Sequence, residues 1–183
     1  MNTDPLRVAW MEDTALTPLW PGRLGLTIAP GKKGVSFEGN LHDRDLSADM
    51  TQLGTDGVTQ LVNLMEAHEE VSWQMHGYDA QAAQAGLKLR RFPVADVKVP
   101  TDPAAFAALV EEIYADLHAG ETVVAHCLGG LGRSGMLVAC LLVRSGEFTA
   151  EGAIQFVRSK RSLRAVEGNQ PQFVEQYFQH LRQ

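Results

Sequence analysis

The stretch that decides the fold is Thr122-Val123-Val124-Ala125-His126-Cys127-Leu128-Gly129-Gly130-Leu131-Gly132-Arg133-Ser134-Gly135, followed by an apolar run over residues 136–143. Its first five residues are largely β-branched or apolar, which predicts a short buried strand. Three glycines among the five residues between Cys127 and Arg133 predict a loop. The apolar run predicts a buried helix that begins at about Arg133. The sequence therefore predicts a strand, a glycine-rich loop and a helix in succession.

Such a loop is suited to binding an anion. Glycines let consecutive backbone N–H groups turn inward around an anion without Cβ clashes, and the helix N-terminus adds its positive dipole end. The planar fork of Arg133 can bind two phosphate oxygens at once. The same positive surroundings favour the thiolate of Cys127, which is the nucleophilic form. A thiolate that faces a bound phosphate is placed for in-line attack on phosphorus.

The structural alternative is that Cys127 is only a buried thiol in a glycine-rich turn. The combined pattern His-Cys-x-x-Gly-x-x-Arg-Ser/Thr is too rare at average residue usage to favour that interpretation. The predicted strand–loop–helix context strengthens the chemical interpretation further. Cys140 lies among leucines and valines, and we expect it to be a core thiol rather than a resolving cysteine.

The rest of the chain alternates between predicted strands and helices. The expected fold class is α/β with three layers, in which helices flank a central, mainly parallel sheet. We expect one domain over residues 1–183, with an irregular N-terminal segment at residues 1–20. Further strands are predicted at 24–30, 58–64 and 87–93, and helices at 47–53 with Ser47 as N-cap, at 78–85, from Asp102-Pro103 to Gly120, from Thr149 to about Lys160, and from Asn169 onward.

Composition narrows the class of protein and its partners. Of 183 residues, 45% are hydrophobic and none of the apolar runs reaches 18 residues, so we expect a globular chain without a membrane span. The N-terminus lacks the order of a signal peptide. A net charge of −6 argues against binding to nucleic acid or to anionic lipid. Two cysteines without a CxxC pair indicate neither a disulfide scaffold nor a zinc ribbon, and fit a cytoplasmic location.

The Cys loop resembles the signature of the protein tyrosine phosphatase superfamily. The likeness is to the small dual-specificity group around kinase-associated phosphatase and its bacterial relatives, and it spans roughly residues 20–181. Pro93-Val94-Ala95-Asp96, followed by Pro100-Thr101-Asp102-Pro103, resembles that group's acid-bearing segment. Arg164-Ala165-Val166-Glu167 with Gln170 resembles its water-placing segment. The resemblance implies a fold of the cysteine-phosphatase type with no metal and no cofactor.

The resemblance also implies roles for individual residues. Cys127 would be the nucleophile that forms a phosphocysteine intermediate, and Arg133 would bind phosphate and stabilise the transition state. Ser134 would donate a hydrogen bond to the Cys127 sulfur, and His126 would fix the loop's shape rather than act as a base. The substrate-binding amides would come from Leu128, Gly129, Gly130, Leu131 and Gly132.

Two assignments stay open at this point. A leaving oxygen needs a proton, and the candidate general acids are Asp96, which lies 31 residues before Cys127, and Asp102, whose presence helix capping alone would explain. Either Gln170 or Gln172 could orient the hydrolytic water. Compared with the related pattern, one residue is missing before Gln170, and Pro171 follows it.

The expected function is hydrolysis of phosphotyrosine, with phosphoserine and phosphothreonine, in phosphorylated proteins or peptides. The alternatives are a phosphatase of phosphoinositides or other small phosphate esters, a non-catalytic phospho-binding module, and sulfur transfer. Because no lysine lies between Cys127 and Arg133, the sequence favours protein over lipid, and we expect a shallow cleft. We expect Lys32 and Lys33 to form a solvated turn. The polar clusters at residues 42–45 and 66–69 match no standard metal-binding spacing, and we interpret them as polar loop clusters for which the cleft is a candidate location. The sequence indicates no oligomeric state.

Overall fold

The computed structural model describes residues 4–13 and 17–183. Strands and helices are interspersed in the middle of this part of the chain, between a first run of four strands and a final run of three helices. The strands are Ala9–Trp10 (β1), Arg23–Thr27 (β2), Lys33–Val35 (β3), Leu41–Asp43 (β4), Gln60–Asn63 (β5), Lys88–Arg91 (β6) and Thr122–His126 (β7). The helices are Leu46–Thr55 (α1), Ala67–Ser72 (α2), Tyr78–Gln84 (α3), Pro103–His118 (α4), Arg133–Arg144 (α5), Ala150–Lys160 (α6) and Gln170–His180 (α7).

The main sheet has five strands in the order β1-β2-β7-β5-β6. Strand β1 pairs antiparallel with β2, and the four remaining strands are parallel. The register places Thr27 and Asn63 opposite His126, and Arg91 opposite Asn63, so the carboxyl ends of the parallel strands lie level with one another. Strands β3 and β4 form a separate hairpin.

Two buried clusters lie on the two faces of this sheet. Two consecutive residues of β5 belong to different clusters: Val62 packs with helices α4 to α7, while Leu61 packs with α1 and α3. Because side chains of a strand alternate between faces, this separation places helices on both sides. The predicted three-layer α/β fold with a mainly parallel sheet is therefore confirmed.

Caps and prolines set the helix boundaries near the site. The Asp102 carboxylate accepts the N–H of Ala105 at 2.9 Å, and Pro103 occupies the first turn of α4, as predicted. Thr149 caps α6 in the same way. For α1, however, the N-cap is Asp45 and not Ser47, because the Asp45 carboxylate accepts the N–H of Ala48.

Three expectations about the first half of the chain are wrong. Residues 1–20 are not wholly irregular, because β1 extends the sheet; residues 1–3 and 14–16 lie outside the described residues. The strand predicted at 24–30 ends at Thr27. Lys32 and Lys33 do not form a solvated turn: Lys33 begins β3, and Lys32 is buried with only 4% of its surface exposed.

The polar cluster at residues 66–69 is also not a loop. It opens α2, where Glu66 and Glu69 form a reciprocal capping box. Within residues 4–13 and 17–183, none of the helices combines the length and the apolar character that a membrane span needs.

Candidate active site

The candidate site lies beyond the carboxyl ends of the parallel strands, where α/β sheets commonly bind ligands. Cys127 directly follows β7, the central strand of the sheet, and Lys32 lies in the segment after β2. Glu69 lies beyond β5 and Asp96 beyond β6. The level strand ends bring these four segments of the chain to one edge.

The loop between Cys127 and Arg133 is packed tightly against the end of β2. Gly130 has a φ of +63°, and a Cβ added there would lie 2.3 Å from the carbonyl oxygen of Thr27. A Cβ on Gly132 would lie 2.8 Å from the carboxylate of Glu167. Gly129 meets neither restriction. The loop therefore requires glycine at position 130, whereas the atom nearest to a Cβ on Gly132 ends a flexible side chain.

Arg161, at the end of α6, and the backbone of Val166 hold the outer side of this loop. Arg161 donates from Nε to the carbonyl of Gly130 at 3.0 Å and from Nη2 to that of Gly129 at 3.1 Å. The backbone N–H of Val166 binds the carbonyl of Leu131. These bonds engage the carbonyls of the loop and leave its N–H groups available for an anion. Sequence analysis missed Arg161, because its bonds go to backbone atoms about 30 positions away and no motif marks them.

Cys127 and its neighbours are almost completely buried. Its Sγ lies 3.4 Å from the Oγ of Ser134, the second residue of α5. The Nδ1 of His126 lies 3.1 Å from the Cys127 carbonyl. Because a carbonyl only accepts, Nδ1 carries the proton, and Nε2 of the neutral ring accepts from the hydroxyl of Tyr78. Burial lowers the pKa of His126 to about 4 and raises that of Tyr78 well above its ordinary value, which is consistent with these donor roles.

Arg133 is the first residue of α5 and is held by a network of acceptors. Its Nη1 and Nη2 donate to the two carboxylate oxygens of Glu69 at 2.7 and 2.8 Å, and Nη1 also donates to the carbonyl of Val94. The Oδ1 of Asp96 lies 2.9 Å from Nη2. The buried Nε of Arg133, in contrast, has no hydrogen-bond partner among the residues that the structure describes.

Glu69 is a site residue that sequence reasoning assigned to a polar loop cluster. Burial disfavours its ionised form, but hydrogen bonds from Arg133 and from the Glu66 backbone outweigh burial and leave the pKa of Glu69 lowered. Burial acts against the charge of Arg133 too, but Glu69 and nearby negative groups raise its pKa overall. The pair is therefore ionised, with the guanidinium fixed in one orientation. A capping-box pattern was the only signal in the sequence, and it points to a helix start rather than to Arg133.

The two candidate acids occupy different environments. The Asp96 side chain is 60% exposed and forms an ion pair with Arg133. The following residue, Val97, has a φ of +54°, an uncommon and strained conformation for a β-branched residue. Asp102 is exposed and bonded to the N-terminus of α4. Of the two, the structure brings Asp96 to Arg133.

The two candidate glutamines also differ in burial and in contacts with the loop. Gln170 is fully buried; its Oε1 accepts from the Glu167 backbone at 2.9 Å, and its Nε2 donates to the Lys98 carbonyl at 3.1 Å. A Cβ on Gly132 would lie 3.1 Å from Gln170 Oε1, so this amide lies against the loop. Gln172 is exposed on α7.

A cleft of about 400 Å³ opens beside the loop. Its lining includes Lys32, Trp73, Leu128, Asp96 and the exposed side chain of Phe37. Cys140, in contrast, lies in the core on α5, where burial raises the pKa of its thiol, as expected for a structural cysteine.

Comparisons with known proteins agree with this geometry. The family model described as "Tc-R-P: Polymorphic toxin system, DSP-PTPase phosphatase" matches residues 40–147, more than half of the chain. Cyclin-dependent kinase inhibitor 3 of Homo sapiens is 26% identical over 164 residues, which cover 89% of this chain and 74% of that protein. Protein tyrosine phosphatase domain-containing protein 1 of Mus musculus is 34% identical over 113 residues, covering 57% of this chain and 15% of that protein.

Solved structures show the same fold. Kinase associated phosphatase, crystallised with its catalytic site cysteine replaced by serine, superimposes with a TM-score of 0.86 at 23% identity, covering 99% of this chain and 98% of the other. PTPMT1 superimposes with a TM-score of 0.66 at 19% identity, covering 90% and 94%.

Together, the strand–loop–helix unit and the site define a cysteine-dependent phosphatase. The chain belongs to the dual-specificity and protein tyrosine phosphatase superfamily, within the DSP-PTPase family whose model it matches. The predicted resemblance and the predicted class of enzyme, a phosphoric monoester hydrolase, are confirmed.

Proposed function

We propose that this enzyme hydrolyses phosphotyrosine, phosphoserine and phosphothreonine in proteins through a phosphocysteine intermediate on Cys127, in one domain over residues 1–183. The observation that carries the proposal is the buried, unpartnered Nε–H of Arg133 next to a loop whose carbonyls are engaged from outside. A buried donor without an acceptor is costly. A phosphoryl oxygen bound inside the loop would supply the acceptor and would lie against the nucleophile.

The first half-reaction follows from the roles of three side chains. Cys127 Sγ attacks phosphorus in line, forming the S–P bond as the bond to the leaving oxygen breaks. Asp96 donates its proton to that oxygen, so that an alcohol or phenol departs. Arg133 and the loop amides bind the equatorial oxygens and stabilise the charge of the five-coordinate transition state.

In the second half-reaction, water attacks the phosphocysteine and the S–P bond breaks. Asp96, now a carboxylate, takes the proton of the water, and the Oγ of Ser134 donates a hydrogen bond to the departing thiolate. Gln170 orients the water; the position of its amide against Gly132 supports this choice over Gln172. Its second N–H and second lone pair remain for the water. His126 maintains the loop through its bond to the Cys127 carbonyl.

The ion pair between Asp96 and Arg133 gives the free enzyme a resting arrangement. A substrate phosphate that binds Arg133 competes with the carboxylate for Nη2. The displaced side chain is then free to face the leaving oxygen of the substrate. Binding of substrate and release of the acid from Arg133 are thereby linked.

Turnover of p-nitrophenyl phosphate in the presence of EDTA tests the proposal. Wild type should turn over, and Cys127→Ser should lose turnover while still binding phosphate, because a serine hydroxyl is a poor nucleophile without a base. Turnover by Cys127→Ser within an order of magnitude of wild type would remove Cys127 from the mechanism. A strict requirement for a divalent metal would favour another class of phosphatase.

Matched phosphopeptides test the substrate class. Phenolate leaves more easily than an alkoxide, so phosphotyrosine peptides should turn over fastest, with phosphoserine and phosphothreonine peptides measurable. A phosphoinositide is the second candidate substrate, because a buried lysine lines the cleft. PTPMT1, which has a similar fold, has been crystallised in complex with PI(5)P. A tenfold preference for a soluble phosphoinositide, about 1.4 kcal/mol in transition-state binding, would overturn the protein-phosphatase proposal.

The proposed location is the cytoplasm. Both cysteines are free thiols, and a thiolate nucleophile needs a reducing compartment to stay active.

A further inference from the structure

Lys32 is buried in the wall of the cleft that opens beside the phosphate loop. Only 4% of its surface is exposed, and its Nζ lies 4.6 Å from the centre of the Trp73 ring. The same cleft is lined by Asp96, the proposed acid, and by Leu128, the residue after the nucleophile. A lysine at this burial is rare unless its ammonium has a partner.

The backbone of Lys32 is held in place by a buried ion pair. The carbonyl of Lys32 accepts the N–H of Arg44 at 3.1 Å. The guanidinium of Arg44 binds both carboxylate oxygens of Asp49, at 2.7 and 2.8 Å, and Asp49 in turn accepts the N–H of Gly31. This arrangement fixes the segment that presents Lys32, so the ammonium is directed by the fold rather than by a flexible surface loop.

The ammonium of Lys32 lacks an acceptor. Among the described residues, its contact is the face of Trp73, and none supplies a hydrogen bond or a carboxylate within ion-pair distance of Nζ. Burial lowers the pKa of Lys32, while negative charge on Cys127 and Asp96 acts in the opposite direction. The two groups that influence it from the site are therefore the nucleophile and the proposed acid.

A buried cation without an acceptor costs stability, and an anion bound next to it removes that cost. The Nε–H of Arg133 is buried and also lacks an acceptor, whereas the ammonium of Lys32 opens into the cleft. Two cationic donors at one site, neither with an acceptor among the described residues, point to one shared anion.

We propose that Lys32 is a second phosphate-binding cation, whose ammonium donates a hydrogen bond to an oxygen of the substrate's phosphoryl group. This inference rests on the proposed function and adds a residue that the signature loop does not contain. The loop itself has only leucine and glycine between Cys127 and Arg133, so Lys32 supplies, from the segment after β2, the lysine that the loop lacks. Because Lys32 would bind the phosphoryl group common to all substrates, removal of its ammonium should weaken the binding of every substrate by a similar factor.

The test is the affinity for inorganic phosphate, measured by calorimetry in the Cys127→Ser background so that it does not depend on turnover. Lys32→Met keeps the length of the stem and its packing on Trp73 but removes the charge. A charge-assisted hydrogen bond predicts a loss of about tenfold to a hundredfold in affinity. The neighbouring Lys33→Met is the matched control and should bind phosphate as the parent does.

A direct readout in unsubstituted protein guards against misfolding of the variant. The ¹⁵N resonance of the Lys32 ammonium should shift as phosphate is added, with the dissociation constant that calorimetry gives. In the active enzyme, Lys32→Met should raise KM for p-nitrophenyl phosphate and for phosphopeptides by similar factors.

Three results would overturn the inference: phosphate affinity of Lys32→Met within twofold of the parent, an equal loss in Lys33→Met, or an ammonium resonance that ignores phosphate. A loss confined to substrates with a second phosphate would also overturn it, because Lys32 would then bind a neighbouring group. Failure of the enzyme to turn over any phosphate ester would reject the proposed function and leave the calorimetric result standing.

Discussion

At the scale of single residues, the orientation of Arg133 depends on a carboxylate 64 positions earlier in the chain. Glu69 binds both Nη atoms, which leaves Nε–H for the ligand. A guanidinium presents its donors in a fixed planar fork, whereas the three donors of an ammonium rotate about its stem. Glu69 is thus a positioning residue for the phosphate contact.

Glu69→Gln should reduce both stability and catalysis. Removing one partner of a buried pair costs about 3–5 kcal/mol of unfolding free energy, because the other charge is left uncompensated. A loosened guanidinium should also lower kcat/KM by about a hundredfold. Urea unfolding with and without phosphate, together with steady-state kinetics, measures both effects, and saturating phosphate should recover part of the stability.

Glu70→Gln is the control on the same helix. Glu70 pairs with Arg91 and Asn63 and not with Arg133, so its removal should cost stability while nearly preserving kcat/KM. An equal catalytic loss in both variants would show that α2 as a whole, rather than the Glu69 carboxylate, supports the site.

The assignment of the general acid can be decided between Asp96→Asn and Asp102→Asn. Asp96→Asn should lower kcat on alkyl phosphates by about 10²–10³ and remove the basic limb of the pH–rate profile. Asp102→Asn should keep that limb, because asparagine remains a good N-cap for α4. If the two variants exchange these phenotypes, the acid is Asp102.

At the scale of elements, the phosphate loop is shaped by contacts with segments before and after it. Gly130 lies against the end of β2, and Arg161 binds the loop carbonyls from the end of α6. The loop conformation is therefore a property of the packed sheet and helices as well as of the signature sequence.

Gly130→Ala should destabilise the protein by about 2 kcal/mol or more, because alanine meets both a positive φ and a close carbonyl. Gly129→Ala is the matched control: no atom lies within 4 Å of the added Cβ, and its stability should stay within about 0.5 kcal/mol of wild type. Thermal or urea unfolding of both variants checks the contrast. Equal stability of the two variants would mean that the close contact between position 130 and the Thr27 carbonyl does not restrict the loop.

The fold and the centre of the site could be predicted because their signals are local. The strand, loop and helix around Cys127 are contiguous, and Asp102-Pro103 and Thr149 mark helix starts within one turn. Glu69 and Lys32 could not be assigned, since their importance comes from contacts that exist only after the sheet has formed. A buried lysine and an exposed one look alike in a sequence, and the short strand β1 has no distinctive period.

At the scale of the whole molecule, a neutral histidine at the centre of the sheet connects pH to stability. Burial lowers the pKa of His126 from 6.5 to about 4. Between these two pH values His126 is protonated in the unfolded chain but neutral in the native state. The free energy of unfolding therefore falls as pH falls. Hydrogen bonds at both ring nitrogens of His126 keep the native ring in its neutral form.

We expect the free energy of unfolding to drop by about 2–3 kcal/mol between pH 7 and pH 4.5, with a slope approaching 1.4 kcal/mol per pH unit. The lowered pKa of Glu69 adds a loss of stability that begins near its ordinary value of 4.5 and is common to wild type and the histidine variants. His126→Gln should flatten the slope. His42, whose pKa is lowered mainly by burial, titrates in the same window, so His42→Gln is measured separately. An unchanged slope in His126→Gln would refute the assignment.

Because the parallel strands must end at the same level, the position of an inserted residue decides whether the site survives. One residue added within β7 would advance the chain by about 3.3 Å and turn its side chains to the opposite face. Cys127 would then leave the edge that Lys32, Glu69 and Asp96 share. Gly39, at the tip of the hairpin, has open space around it and belongs to no strand of the main sheet. An inserted residue should therefore be tolerated at such a tip and not within the strands that end at the site.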